Sequence, residues 1–268
     1  MLEPLKSKLR EKKGFIFDLD GCIYRGDRPI DGAPEAILAL RGGGKRILFL
    51  TNNSTKTPSE YVEKLRRMGL CVEEREVLTS SVATAIYMRD LGIGGCFVVG
   101  EQGLISALEG GGFRILGADE AKMAKYVVCG LDTRLTYEKL AAACRAIQCG
   151  ATFIATNLDP NMPVEEGYIP GAGAIVSALV TATRVKPIVI GKPSRIIMKI
   201  ALEKIGLDKR DVVMVGDTLN IDIAAAKNAR ITSLLVLSGS TSVKDLAGSR
   251  VKPDEVIQSV AELKGLFY

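Results

Sequence analysis

The 268 residues include no histidine and no tryptophan. Without an imidazole the chain cannot run a Ser-His-Asp hydrolase, a histidine phosphatase or most zinc hydrolases, so acid–base chemistry falls to carboxylates, lysine, tyrosine or cysteine. Aromatic residues make up 5% of the chain, too few for a platform on which bases stack. The six cysteines, at 22, 71, 96, 129, 144 and 149, form no CxxC pair, and without histidine they complete no mixed zinc site; they read as reduced core thiols. No window approaches the ~18 apolar residues of a membrane span. The first 14 residues, MLEPLKSKLREKKG, lack the apolar centre of a signal peptide. A soluble, cytoplasmic protein with no membrane partner is expected.

Charge of one sign is also scarce, the net being +5. Basic residues interleave with acidic ones except at Lys6, Lys8, Arg10, Lys12 and Lys13, a cluster that reads as a solvated N-terminal turn and not as a nucleic-acid contact. A small anionic ligand fits this balance better, with no nucleic-acid partner.

What the chain does have is 47% hydrophobic residues, enough for a large core near the length at which cores divide in two. Four apolar, β-rich runs stop abruptly at polar or glycine-bearing loops: FIFDLD (15–20), RILFLTNN (46–53), PIVIGK (187–192) and VVMVGD (212–217). Each precedes a helical pattern, at 33–41, 58–68, 194–205 and 221–229. Alternating strand and helix predict an α/β fold with a doubly wound parallel sheet, whose ligand lies beyond the carboxyl ends of the strands. The insert between the second and third runs has strands at 96–100, 126–132 and 152–157 and helices at 84–91, 102–109, 137–147 and 174–183. It should form a second α/β domain over 79–185, leaving 1–78 and 186–268 as a discontinuous core. Residues 157–173 read as a loop inside it.

The four run ends carry the chemistry. In DLDG, side chains at i and i+2 of an extended chain share a face, so Asp18 and Asp20 can address one ligand; the same pattern could open a calcium loop or cap a turn. Thr51 ends its run with a hydroxyl, followed by amides suited to phosphate oxygens, or to an ordinary N-cap. Lys192 precedes a helix N-terminus that would also attract an anion. Asp217 and Asp222 in GDTLNID offer hard oxygens suited to Mg²⁺, although a helix cap explains Asp222 equally well. Taken together, an acid pair, a hydroxyl, a lysine and a second acid pair at four strand ends point to one anion site with a metal.

This order, DxD, Thr, Lys, GDxxxxD, resembles the haloacid dehalogenase superfamily of Mg²⁺-dependent phosphohydrolases. FIFDLDGCIYRG, LTNNSTKTP, GLDTRLTYEKL, FIATNLDPNMPVEEGYIPGAG and GKPS look like its NagD-type, 4-nitrophenylphosphatase branch with a C2 cap, and the likeness spans almost the whole chain. It implies that the insert is a mobile cap closing over small phosphate esters. It implies further that Asp18 attacks phosphorus to form an aspartyl phosphate, while Asp20 protonates the leaving alcohol and later deprotonates water. Mg²⁺ would be held by Asp18, the Asp20 carbonyl and Asp217, with Asp222 orienting its waters. Thr51, the amides of Asp20, Gly21 and Asn52, Asn53 beside them, and Lys192 would hold the phosphoryl oxygens. The similar pyridoxal phosphatases present a histidine from a cap loop where Met162 stands here; methionine there would accommodate varied leaving groups, unless it only packs beneath the cap.

The chain departs from the superfamily at Ile221, where threonine is usual, and at Ala229-Arg230, where Ala-Gly is usual. Two alternatives stay open. Cys22 and Arg28 satisfy the C-x5-R spacing of cysteine phosphatases, with poor glycine content and Pro29 in place of the usual hydroxyl. The fold could also serve as a silent binding or regulatory module, and a homodimer is compatible with the sequence.

Overall fold

The computed structural model describes residues 8–164 and 167–266, so Lys6 and the two glutamates of the MPVEEGY stretch lie outside it. In chain order the strands are β1 (Gly14–Phe17), β2 (Tyr24–Arg25), β3 (Arg28–Pro29), β4 (Arg46–Thr51), β5 (Val77–Thr79), β6 (Gly95–Val99), β7 (Arg114–Ile115), β8 (Tyr126–Cys129), β9 (Thr152–Ala155), β10 (Asn161–Val164), β11 (Gly167–Pro170), β12 (Ile188–Val189), β13 (Val212–Gly216), β14 (Thr232–Val236) and β15 (Glu255–Ile257). The α-helices used below are α1 (Ala33–Gly42), α2 (Pro58–Arg67), α3 (Ser80–Leu91), α4 (Gln102–Gly110), α5 (Tyr137–Gln148), α6 (Ala172–Thr183), α7 (Arg195–Ile205) and α8 (Ala224–Ala229).

The chain divides into two units. One comprises residues 1–51, 58–78 and 192–268; the other comprises 52–57 and 79–191. Residues 52–57 and 186–191, which the sequence groups with the core, cluster with the second unit.

The core unit holds a six-stranded sheet of order β15-β14-β13-β1-β4-β5. The strand pairs from β15 to β4 run parallel. β1 is apolar and buried along its whole length, as a strand covered on both faces must be. From β1 the chain winds outward through β4 and β5, then returns on the other side through β13, β14 and β15. The order therefore reverses beside β1, and the carboxyl ends of β1, β4 and β13 meet at the switch point where such sheets bind ligands. A core of Phe15, Phe17, Phe49, Val213 and Val215 packs one face. Helix termini follow local chemistry: α7 begins where Ser194 Oγ accepts the Ile196 amide and ends at Gly206 in the left-handed region.

The cap unit has a parallel sheet of its own, β12-β9-β8-β6-β7, with Phe97, Val127, Phe153 and Val176 in its core. Two features differ from the sequence reading. The PIVIGK run contributes β12, which pairs with β9 at the edge of this second sheet and not with the core strands. A short apolar run that stops at glycine looks the same in either sheet. The stretch read as a loop holds an antiparallel hairpin, β10–β11, pairing Met162 with Ile169 and Pro163 with Tyr168; a proline inside a short run hides an edge strand. Among the described residues, no helix is long and apolar enough to cross a membrane.

Three of the basic N-terminal residues are tied to the core. Lys8 pairs with Glu255 at 3.5 Å, Lys13 with Asp211 at 2.9 Å, and Lys12 donates to the Arg210 carbonyl at 2.7 Å.

Candidate active site

Four side chains from three separated stretches converge at the ends of β1 and β13. Lys192 Nζ, 2% exposed, lies 2.5 Å from Asp18 Oδ1 and 2.8 Å from Asp222 Oδ1. It also donates to the Leu50 carbonyl at 3.3 Å, one residue before Thr51. The carboxylates of Asp18, Asp217 and Asp222 each offer an oxygen within 4.8 Å of the others. Asp18, Lys192, Asp217 and Asp222, read from sequence as one constellation, are therefore one cluster.

Close backbone approaches build it. A Cβ on Gly216 would lie 2.3 Å from Asp222 Cβ, and one on Gly239 would lie 2.0 Å from Asp217 Oδ2, so only glycine lets these acids pack against the backbone. Gly21, at φ +77°, stands nearly as close, a Cβ there meeting Asp217 Oδ2 at 2.6 Å. A π-helical turn over Leu219–Ile223 carries Asp222 back toward β13. There Asp222 Oδ2 accepts the amides of Asp217 and Thr218 at 3.1 and 3.0 Å. Both oxygens of Asp222 are thus engaged in holding the Lys192 ammonium and the Asp217 loop. Asp217 Oδ2 accepts the Ser240 amide at 2.5 Å, and its Oδ1 the Thr218 hydroxyl at 3.1 Å.

Electrostatics follow from burying three acids around one base. Burial drives Asp18 well above the usual carboxylate range; Lys192 opposes this, while Asp222 and Asp217 add to it. Burial, then Asp222, also raises Asp217. Burial alone would depress the Lys192 ammonium, but Asp18 and Asp222 outweigh it and raise it instead. A divalent cation fits this donor set: hard oxygens, like charges in a low-dielectric setting, and too few cations to balance them.

The remaining predicted residues divide between the units. Asp20 is exposed and accepts the Tyr24 hydroxyl at 3.1 Å. Thr51 is 3% exposed and shares a hydrogen bond with Tyr61. Asn52 and Asn53 belong to the cap unit. The Asn52 amide donates to both Asp159 oxygens at 3.1 and 3.2 Å, and its carbonyl accepts from Asn157 at 2.8 Å. Asn53 Oδ1 accepts from the Thr55 amide and hydroxyl at 2.9 and 2.8 Å. Met162, on β10, packs partly buried against the apolar cluster of the cap.

Cys22 supplies no thiolate. It is fully buried, its Sγ lies 3.8 Å from the Val215 carbonyl, and burial, reinforced by Asp18, pushes the thiol well up. Arg28 is exposed, so the cysteine-phosphatase alternative falls. Sequence reasoning missed Tyr24, Tyr61, Gly239 and Ser240. The run SLLVLSGS, apolar and then abruptly polar like the other four, is a signal that could have found the last two.

Comparison with known proteins agrees with this geometry. The haloacid dehalogenase-like hydrolase family model matches residues 15–114, and a second model of HAD-like hydrolases matches residues 189–263. The chain is 41% identical over 261 residues to the acid sugar phosphatase of Staphylococcus aureus, covering 96% of this chain and all of that one. It resembles the solved p-nitrophenyl phosphatase of Archaeoglobus fulgidus at 39% identity and TM-score 0.90, covering 95% of this chain and 99% of that one. The 4-nitrophenylphosphatase of Thermotoga maritima aligns at 38% identity and TM-score 0.91, with 96% and 98% covered. Fold, site and relatives together leave the silent-module alternative without support: the chain belongs to the haloacid dehalogenase superfamily, in its NagD-type 4-nitrophenylphosphatase branch, and is a phosphatase.

Proposed function

We propose that the protein is a Mg²⁺-dependent phosphomonoesterase of small phosphorylated metabolites, sugar phosphates among them, working through an aspartyl phosphate on Asp18. The observation that carries this reading is the cluster of three carboxylates, two of them paired with the buried Lys192. The names of the relatives, acid sugar phosphatase and nitrophenylphosphatase, support the substrate class.

Asp18 attacks phosphorus, and the bond to the leaving oxygen breaks as Asp20 transfers its proton to that oxygen. Asp20, now ionised, takes a proton from the water that hydrolyses the acyl phosphate. Lys192 binds a phosphoryl oxygen and holds Asp18 in line. The Thr51 hydroxyl and the amides of Asp20 and Asn52 take the remaining oxygens, with Asn53 shaping the loop; the Gly21 amide, expected from the sequence to join them, instead donates to the Tyr24 carbonyl at 2.7 Å. Asp18, Asp217 and the Asp20 carbonyl would hold Mg²⁺, which supplies charge neutralisation between nucleophile and phosphate. Asp222, with both oxygens engaged, acts by orienting Lys192 and the Asp217 loop. We assign the enzyme to the cytoplasm, in keeping with six free cysteines.

The test is hydrolysis of 4-nitrophenyl phosphate by the full chain with and without Mg²⁺, together with acid-quench trapping of phosphoenzyme. Turnover that survives exhaustive EDTA, or phosphoenzyme that still forms in Asp18→Asn, would overturn the reading.

A further inference from the structure

Asp20 is held from outside the DxD, Thr, Lys and GDxxxxD set. The loop Asp20–Tyr24 closes on itself, the Gly21 amide donating to the Tyr24 carbonyl at 2.7 Å. Tyr24 is 1% exposed, and its hydroxyl donates to Asp20 Oδ2 at 3.1 Å. Lys64, on α2, sets its ammonium 4.0 Å from the centroid of the Tyr24 ring. Its side chain is 17% exposed, and Asp27, 3.5 Å from its ammonium, is 97% exposed. A cation over the ring of a phenol draws electron density toward itself and strengthens the hydroxyl as a donor.

This arrangement matters for an acid that must deliver a proton along one direction. The Tyr24 proton faces Oδ2, so a proton carried by Asp20 is directed to Oδ1, and the plane of the carboxyl is fixed by the bond. Proton delivery counts when the leaving group is a strongly basic alkoxide. It counts far less for 4-nitrophenolate, which departs unprotonated.

We propose that Tyr24, braced by Lys64, is a positioning residue that orients Asp20 to protonate the leaving oxygen, and so lets this site hydrolyse alkyl phosphates such as sugar phosphates as well as aryl phosphates. The inference rests on Asp20 being the acid of the reaction. The step it serves is balanced: the Asp18 oxygen–phosphorus bond forms, the phosphorus–alkoxide bond breaks, and the Asp20 proton goes to the alkoxide.

The experiment compares kcat/KM for glucose 6-phosphate and 4-nitrophenyl phosphate in the full-length Mg²⁺-loaded enzyme and its variants. This parameter covers steps only through departure of the leaving group, so the dephosphorylation shared by both substrates cancels. Tyr24→Phe should lower the sugar-to-aryl ratio at least about tenfold, within the ~10²–10⁴ that general acid catalysis supplies. Lys64→Met should lower it less, and Lys64→Arg should restore it. An equal loss on both substrates, the result of a merely structural role, overturns the proposal. Should Tyr24→Phe fail to fold, the Lys64→Met and Lys64→Arg pair decides on the same ratio. Asp20→Asn separates the two levels of the argument. If it does not lower the ratio, the acid reading falls and this inference with it; if it does while Tyr24→Phe does not, only the role of Tyr24 falls.

Discussion

Both units of this chain wrap helices around a parallel sheet and bury carboxylates near the ends of its strands, but they balance those charges differently. In the cap unit, Asp132 follows β8, meets Lys139 at 2.5 Å and accepts the Arg134 amide at 3.0 Å. One acid faces one base. In the core unit, Asp18 and Asp222 both pair with the buried ammonium of Lys192, and Asp217 adds a third carboxylate within 4.8 Å of theirs. A balanced buried pair is structural, and removing one partner is costly; an unbalanced cluster costs stability and persists where a ligand completes it. Architecture alone does not separate the two units, whereas the charge count does.

The largest effect that could break this comparison comes from Asp18→Asn. Loss of the nucleophile should lower kcat by at least about 10⁴-fold, as removing one member of a catalytic unit does. The folded state should not suffer, because the substitution removes one of three like charges. Turnover assays and thermal melts of the metal-free protein check both halves, and a clear fall in melting temperature would contradict the idea that the cluster is held at a cost.

Metal should act on the same imbalance. Asp18 and Asp217 have folded pKa values raised above their unfolded ones. A raised carboxylate keeps more protons folded than unfolded, so it contributes stability at low pH and loses it as pH climbs past the unfolded value of ~4. Metal-free protein should therefore become less stable from pH 4 toward neutrality. Mg²⁺ at 100 times its Kd should add about 2.7 kcal/mol, readable as a rise in the denaturation midpoint. Ca²⁺ should stabilise but inhibit, since its looser coordination lets both oxygens of Asp18 engage the ion. A midpoint indifferent to Mg²⁺ at pH 7 would remove the metal from the site.

The cap pair should behave in the opposite way. Asp132→Asn leaves Lys139, whose side chain is 31% exposed, free to reach water, so the cost should be about 1–3 kcal/mol with turnover of 4-nitrophenyl phosphate kept. A variant that folds normally but loses turnover would move Asp132 into the chemistry and erase the distinction between the units.

How far this contrast is legible in the sequence depends on the range of the interactions involved. Asp18, Thr51 and Asp217 stand out because apolar runs end on them, a local signal. Lys192 stands out as chemistry, but its strand is misplaced, since nothing local tells Ile188–Val189 that its partner is β9. The grouping of 52–57 with the cap depends on Asn52 reaching Asp159, 107 positions away. Tyr24 and Lys64 stay hidden for a related reason: each reads as ordinary strand or helix composition, and only their meeting across β2 and α2 gives them meaning. TSLLV, the β14 strand, is as apolar as its neighbours and its run stops at Ser238-Gly239-Ser240, but with no acid or base at that end Gly239 and Ser240 go unread beside Asp217.

The smallest effect tests whether the two units differ anywhere else. Among the described residues, each has one helix that ends on a non-glycine residue in the left-handed region: Arg184 after α6 in the cap, at φ 60°, and Arg230 after α8 in the core, at φ 59°. Both are exposed, and both amides close the helix, onto the Val180 carbonyl and onto the Ala226 and Lys227 carbonyls. An L-residue there costs about 1–2 kcal/mol, and glycine returns about 0.5–1 of that as extra chain entropy lost on folding. Arg184→Gly and Arg230→Gly should therefore each stabilise by about 0.5 kcal/mol, with kcat/KM unchanged in both. Arg230 lies eight residues beyond Asp222, where the superfamily usually has glycine. If Arg230→Gly alone altered turnover, the helix end would be coupled to the Asp222 turn. If both variants gain alike, the difference between the units lies in the charge at the strand ends.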